Sequence, residues 1–195
     1  MEHSDILPDW QRRFPGCEPI GYRLRKAFPQ RWVRFHSLPG SKRYAENEAE
    51  TATVLERHNR VLGELVRPGQ EVVLLITGHS ETPDPADLQS DVRALDPAAV
   101  PWRTFVLADD DDDFASPTHW HAYASRREWR PGTFDPVVRL AADDKVANAL
   151  IVAPDCRWLL HPYDGGMDVI AASTAARDRL KARYPEWLSA RPDGL

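Results

Sequence analysis

Hydrophobic and polar positions repeat along this chain with two different periods, and the longest regular stretch has the period of a helix. From about Ala45 to Val66, apolar residues recur every three or four positions, which is the spacing of one helical face. Glutamates stand in its first turns and arginines come later, an order that suits the helix dipole. We therefore predict one long helix. Its predicted inward face consists of Ala45, Ala49, Ala52, Leu55, Asn59, Leu62 and Leu65 or Val66.

Strand patterns stand on both sides of this helix. Residues 31–38 alternate apolar and polar side chains, which is the period of a strand with one apolar face. Residues 71–78 form a continuous apolar run that is typical of a strand covered on both faces. A strand, a helix and a strand in this order predict one βαβ unit, whose crossover is right-handed if the two strands are parallel.

The second half of the chain is predicted to form mainly short strands joined by tight turns. These cover Pro101–Ala108, His119–Glu128, Val146–Pro154, Cys156–Tyr163 and Met167–Ala172. Short helices are predicted near the N-terminus, and a final helix follows Ser173 or Thr174, either of which can cap it. The sum is an α+β fold in a single domain of residues 1–195. Its sheet is mixed but mostly antiparallel, with about six or seven strands, one βαβ unit and helices at both termini.

Composition and charge narrow the function classes. The chain has 195 residues, 42% of them hydrophobic, and a net charge of −5, which is the balance of a soluble globular protein. Lys and Arg are spread along the chain, which argues against nucleic acid as a partner. The N-terminus lacks a signal-peptide pattern, and no apolar run approaches the roughly 18 residues of a membrane span. We expect a cytoplasmic protein without a membrane partner, and the sequence leaves its oligomeric state open.

Motifs for covalent catalysis are missing from the sequence. Cys17 and Cys156 lie far apart and form no CxxC pair, so we expect reduced thiols and no structural zinc. No GxSxG nucleophile motif is present, and the segment at Gly40 lacks the earlier glycine of a phosphate loop. These observations predict no catalytic residue and no cofactor, and they favour a non-enzymatic protein.

Two segments offer ligands for a metal ion. Asp109–Asp113 are five adjacent carboxylates, but a calcium loop needs alternating acids and a glycine, so a solvated connection is favoured. His119 and His121 share one face of a predicted strand, where two imidazoles can bind one metal ion. We favour a solvent-facing polar side for these histidines and keep the metal site as the alternative. Guesses for a third ligand are Asp113, His36 and His79.

The segment from His161 to Ile170 predicts a β-hairpin, because Asp-Gly between two apolar runs is among the strongest turn signals. The turn accounts for the glycines but leaves Asp168 unexplained at the start of a strand, among apolar neighbours. We therefore expect a polar binding site at this hairpin. Its predicted residues are Arg34, Tyr163, Asp164 and Asp168.

Ten residues of the chain stand in an order that resembles a known family. They are Tyr163, Asp164, Gly166, Asp168, Tyr184 and Trp187 in the C-terminal third, and Arg34, Phe35, Tyr44 and Arg57 before it. The resemblance is to an uncharacterised bacterial family, the domain of unknown function numbered 3885. That family carries a Tyr-Asp-Asp-Arg-Gly-Leu-Asp-like turn between two strands and a final helix ending in Tyr-x-x-Trp; the turn here is shorter and lacks the arginine. The resemblance implies the same fold and brings no established activity, cofactor or catalytic residue.

Three functions fit these observations. The favoured one is a non-enzymatic module of an immunity or regulatory type that binds a protein partner, because an acidic surface suits a basic partner. The alternative is a small metal-dependent hydrolase that uses His119 and His121 together with the Tyr163–Asp168 hairpin. A third function is the binding of a small ligand in a pocket lined by Tyr163, Arg34 and Trp158.

Overall fold

The structure is a computed structural model that describes residues 6–107, 118–146, 148–191 and 194. Its strands are β1 (Trp32–His36), β2 (Glu71–Ser80), β3 (Val100–Val106), β4 (His119–Glu128), β5 (Ala149–Val152), β6 (Leu159–Tyr163) and β7 (Gly166–Ile170). Its α-helices are α1 (Leu7–Arg13), α2 (Gly21–Ala27), α3 (Glu48–Leu65), α4 (Ala86–Leu95), α5 (Asp135–Ala142) and α6 (Thr174–Arg183). Short 3-10 helices cover Pro39–Ser41 and Pro185–Trp187.

The strands form one sheet in the order β1-β7-β6-β5-β2-β4-β3. Every neighbouring pair within the described residues is antiparallel. Because β7, β6 and β5 lie between β1 and β2, this alternation gives β1 and β2 the same direction, and α3 lies between them in the chain. The predicted strand–helix–strand unit is therefore present, although its two strands are not neighbours. The α+β class, the number of strands and the helices at both ends are confirmed.

Helices cover both faces of the sheet, so the long strand β2 is buried on each side. Val72, Leu74 and Ile76 contribute to a core shared with α3, α4, α5 and α6, on what we call the four-helix face. Val73 and Leu75 point the opposite way into a smaller core with α1 and α2, on what we call the two-helix face. The continuous apolar pattern of β2 predicted a strand covered on both faces, and the burial of its central residues confirms it.

The long helix α3 forms where it was predicted, but its buried face differs from the prediction. Ala49 and Ala52 are exposed. The buried residues of α3 are Val54, Arg57, His58, Val61 and Leu62. This buried stripe keeps the spacing of a helical face but contains two polar side chains, Arg57 and His58. Because the prediction considered mainly apolar residues, it selected a stripe of α3 that lies beside the buried one.

Cap and turn signals are confirmed at the C-terminal elements. Gly165 adopts a φ of 82° in the turn between β6 and β7, a conformation that favours glycine. Ser173 caps α6, and its hydroxyl accepts the Ala176 N–H at 3.2 Å. The predicted connection of aspartates, Asp109–Asp113, lies outside the described residues. In the part of the chain that the structure describes, no helix has the length and apolar character that crossing a bilayer requires.

Candidate functional site

The register of three strands brings polar side chains together on the two-helix face. In the β6–β7 hairpin, His161 is the cross-strand partner of Asp168. On the other side of β7, Arg34 of β1 is also the partner of Asp168. Directly paired residues point to the same face of a sheet, so the three side chains form one row across β1, β7 and β6. Ile170, two residues after Asp168, belongs to the core of the two-helix face and so fixes which face this is.

Tyr163 joins this row through two contacts. Its hydroxyl donates to Asp168 Oδ1 at 3.2 Å. The guanidinium carbon of Arg34 lies 5.4 Å from the centre of the Tyr163 ring, a cation–π distance. We call Arg34, Tyr163 and Asp168 the polar cluster. Three of the four predicted binding residues are therefore in contact with one another.

Helix α2 brings a further cationic side chain, Arg25, into contact with the polar cluster, and sequence reasoning missed it. Arg25 Nη1 lies 3.5 Å from Asp168 Oδ2, and the Arg25 guanidinium carbon lies 5.8 Å from the centre of the Trp32 ring. The Asp168 side chain is 3% exposed and that of Arg25 is 26% exposed, so the pair lies at the boundary of the interior. Nothing in the local sequence links Arg25 with Asp168, because only the packing of α2 on the sheet brings them together.

Burial controls the protonation of the polar cluster. It raises the pKa of the Asp168 carboxyl, and the Trp32 indole and the Arg25 guanidinium oppose this rise. Burial also raises the pKa of the Tyr163 hydroxyl far above its usual value, and the adjacent Asp168 adds to the rise. Tyr163 therefore keeps its proton at neutral pH and acts as a hydrogen-bond donor to Asp168.

The start of α2 lies directly on the sheet beside this cluster. The Gly21 N–H donates to Asn148 Oδ1 at 2.9 Å, and Asn148 Nδ2 donates to the carbonyl oxygen of Pro19 at 2.8 Å. A Cβ atom at Gly21 would lie 2.0 Å from Nδ1 of His161, so only glycine allows this approach. Helix α2 thus covers the row, and Asp168 is only 2% exposed.

Asp164, the fourth predicted binding residue, belongs to a different surface. Its carboxylate binds the Arg43 guanidinium and accepts a hydrogen bond from the Tyr44 hydroxyl at 3.0 Å. Gly165 packs against Arg43, whose Cα lies 3.3 Å from the position of a Cβ at Gly165. We call Arg43, Tyr44, Asp164 and Gly165 the hairpin-tip surface. It contains Tyr44, which is one of the exposed large side chains of the described residues at 45% exposure.

Four other residues of the resemblance, Phe35, Arg57, Tyr184 and Trp187, form an aromatic cluster on the four-helix face. Phe35 contacts Tyr184 edge-on at 6.0 Å, and Tyr184 stacks on Trp187 at 4.2 Å. The Arg57 guanidinium carbon lies 4.9 Å from the centre of the Trp187 ring, and Arg57 Nη1 donates to the carbonyl oxygen of His36 at 2.7 Å. These contacts join β1, α3 and the C-terminal region, so the cluster holds three distant segments of the chain together.

The ligand pocket predicted around Tyr163, Arg34 and Trp158 is not formed. Trp158 belongs to the core of the four-helix face, whereas Arg34 and Tyr163 lie on the two-helix face. The sheet therefore separates Trp158 from the other two side chains.

The two histidines of β4 lie away from the hairpin. His121 is fully buried, so the interpretation as a solvent-facing side is wrong for this residue. Its Nδ1 lies 3.0 Å from Thr104 Oγ1, and its Nε2 lies 2.9 Å from Ser80 Oγ. Three strands lie between β4 and β7, which separates the histidines from Asp168 by about 19 Å at ordinary strand spacing. No three His, Cys, Asp or Glu side chains among the described residues are grouped so that they could hold a metal ion.

Both thiols are held in environments that disfavour the thiolate. Burial raises the pKa of Cys17 to about 11, with a further contribution from Glu18. Burial raises the pKa of Cys156 to about 12, and nearby Asp9 and Asp155 add to this rise. The thiolate is the nucleophilic form of cysteine, so neither side chain is activated for nucleophilic attack.

Comparison with known proteins gives one match. No curated protein and no solved structure matches the chain significantly. The model of one family, the domain of unknown function DUF3885, matches residues 20–192. This range includes the polar cluster, the hairpin-tip surface and the aromatic cluster, and it covers nearly all of the 195 residues. The chain therefore belongs to the DUF3885 family of domains of unknown function.

Proposed function

We propose that this chain is a non-enzymatic module that binds the basic surface of a protein partner through its hairpin-tip surface. The observation that carries the proposal is the exposed Tyr44 side chain, whose hydroxyl is bonded to Asp164. The chemistry of the site supports recognition rather than catalysis, because its acid and its tyrosine hydroxyl are already bonded to each other.

Tyr44 and Arg43 are side chains of the kind that dominate protein interfaces. Tyrosine and arginine are enriched among the residues that contribute most to binding. The Arg43 guanidinium carbon lies 5.2 Å from the centre of the Tyr44 ring, and both side chains bind Asp164. An exposed pair that is already ordered loses less conformational entropy on binding, which favours affinity.

The charges around Tyr44 are mainly negative. Arg43 is bound by Asp164, and its charge also interacts with the nearby carboxylate of Asp144. Lys42 contacts Glu46 at 3.0 Å and Glu50 at 2.7 Å. Four carboxylates therefore stand against two cationic side chains. The residues that make up this local excess are Lys42, Arg43, Glu46, Glu50, Asp144 and Asp164. Such a surface attracts a partner that presents lysine or arginine side chains.

The buried groups support a non-enzymatic role. Asp168 is bonded to Tyr163 and faces Arg25, and it is almost inaccessible. His121 has both ring nitrogens within hydrogen-bond distance of hydroxyl oxygens. A general acid or base must reach the proton that it transfers, and these side chains are directed to other groups of the protein.

The proposal is tested by replacing Tyr44 and comparing it with another exposed tyrosine. Tyr22 is 42% exposed and also lies near cationic side chains, so Y22A is a matched control for Y44A. The wild-type chain and both variants are used as baits for native lysate of the source cells, and the recovered proteins are quantified. A recovered protein is then purified, and its affinity for each variant is measured at low and high salt.

We expect one protein with a basic surface to bind wild type and Y22A equally. Its affinity for Y44A should be about tenfold lower or more, the loss typical of a central interface residue. High salt should weaken the wild-type complex, because attraction between exposed charges is screened. Equal affinity for Y44A and wild type, or the absence of any specifically retained protein, would refute the proposal.

A further inference from the structure

A second surface of the chain, which shares no residue with the hairpin-tip surface, forms a small cationic pocket. It lies at the outer edge of β1, where α6 and the residues after it pack beside the strand, and its volume is about 240 Å³. We call it the β1-edge pocket. Its lining includes the cationic side chains Arg34, Arg177, Lys181 and Arg191 and the apolar side chains Trp32 and Leu188.

The charged side chains in the described lining of this pocket are all cationic. No aspartate or glutamate occurs among the described residues that line it. Arg177 Nε binds Asp178 Oδ1 at 2.7 Å, but Asp178 points to the surface with 57% of its side chain exposed. Lys181 makes no ion pair with any residue that the structure describes. Cationic groups that line one small pocket repel one another, and a bound anion offsets that repulsion.

Arg34 contributes a buried donor that lacks an acceptor. Its Nε atom is buried and has no hydrogen-bond partner in the described part of the chain. Its guanidinium is oriented by the ring of Tyr163, at 5.4 Å from the ring centre. A buried N–H group without an acceptor is costly, so an oxygen atom that reached Arg34 from the pocket would remove this cost.

The chemistry of the lining identifies the class of ligand. Planar guanidinium groups bind phosphate oxygens with two parallel hydrogen bonds, and several cations favour a dianion over a singly charged carboxylate. Trp32 and Leu188 supply apolar surface next to these cations. The pocket is smaller than the roughly 300–1,000 Å³ of sites for drug-sized ligands. We infer that the β1-edge pocket binds a small phosphate monoester that carries an apolar or aromatic group.

The test uses phenyl phosphate as the probe and titration calorimetry on the full chain. Inorganic phosphate supplies the anion without the ring, and benzoate supplies the ring with a single negative charge. Lys181→Gln removes one exposed cation from the pocket, whereas Arg179→Gln removes one exposed cation of the same helix that does not line it. Both positions are exposed, so circular dichroism should show the same fold in both variants.

We expect saturable binding of phenyl phosphate, and weaker binding of inorganic phosphate and of benzoate. K181Q should lower the affinity for phenyl phosphate about five- to tenfold, as the loss of one charge-assisted hydrogen bond does. R179Q should change this affinity less than about twofold. Equal weakening by K181Q and R179Q would overturn the proposal, because it would show that phenyl phosphate is attracted by the overall positive charge of the helix and not by the pocket. The absence of saturable binding at millimolar phenyl phosphate would overturn it as well, as would equal affinity for inorganic phosphate.

Discussion

Acid should unfold this protein partly through one histidine, His58 on the buried face of α3. The side chain is 1% exposed, and its Nδ1 lies 2.8 Å from the carbonyl oxygen of Val54. A ring nitrogen at this distance from a carbonyl oxygen carries the proton, which assigns the neutral tautomer with Nδ1–H. Burial lowers the pKa of His58 from 6.5 to about 4, although the contact with Val54 opposes this effect.

The direction of the pH effect follows from the sign of this shift. The unfolded chain takes up a proton on His58 near pH 6.5, whereas the folded chain resists protonation until about pH 4. The contribution of His58 to stability is therefore complete above pH 6.5 and is lost as the pH falls towards 4. At 1.36 kcal/mol per pKa unit, the loss is about 2 kcal/mol at pH 5 and about 3 kcal/mol at pH 4.

The assay is urea unfolding of wild type and of His58→Gln at pH 7 and pH 5. Glutamine has no titrating group in this range, so the variant should lose about 2 kcal/mol less than wild type between the two pH values. Its stability at pH 7 can differ from that of wild type without affecting this comparison. The other histidines are present in both proteins and contribute equally to each. If both proteins lost the same free energy of unfolding between pH 7 and pH 5, the reasoning about His58 would be refuted.

Three further substitutions test the packing of the helices, with the free energy of unfolding as the measurement. Gly21→Ala should destabilise by about 1–3 kcal/mol or more, because its Cβ would lie 2.0 Å from a His161 ring atom. Gly63→Ala in α3 should stabilise the folded protein by about 0.5–1 kcal/mol, because its Cβ would meet Trp129 at an ordinary contact distance of 3.6 Å. If G63A instead lost as much stability as G21A, this account of the two glycines would be contradicted. Arg57→Ala should lower the free energy of unfolding by about 1–3 kcal/mol, because Arg57 donates a hydrogen bond to the carbonyl oxygen of His36, at the buried end of β1, at 2.7 Å. An unchanged free energy of unfolding would show that water replaces this hydrogen bond.

The candidate site shows how far local reasoning reaches. The hairpin and its turn were predictable, because Asp164 and Gly165 carry turn chemistry in adjacent positions. The unexplained Asp168 led to the prediction of a polar site, and the structure places Asp168 in contact with Tyr163, five residues earlier in the chain. The prediction grouped Asp164 with them, but a turn residue leaves the plane of the strands and here meets Arg43.

Other features had no local signal. No pattern along the chain places Arg57 and His58 inside, because polar side chains enter a core only when tertiary contacts provide them with partners. Arg25 reaches Asp168 across 143 positions of the chain, and the β1-edge pocket combines residues of β1 with residues of α6. Periodicity cannot predict such pairs, because it describes only neighbours along one element.

The sequence by itself determined the elements of this protein: seven strands, one long helix, a hairpin and a capped final helix follow from periodicity, turn residues and caps. These signals act over a few residues, so they are present in any single segment. The tertiary structure alone decided the strand order, which separates β4 from β7 and brings β1 beside β7. Strand order depends on which apolar faces can be buried together across the whole chain, and that choice determines which polar side chains meet.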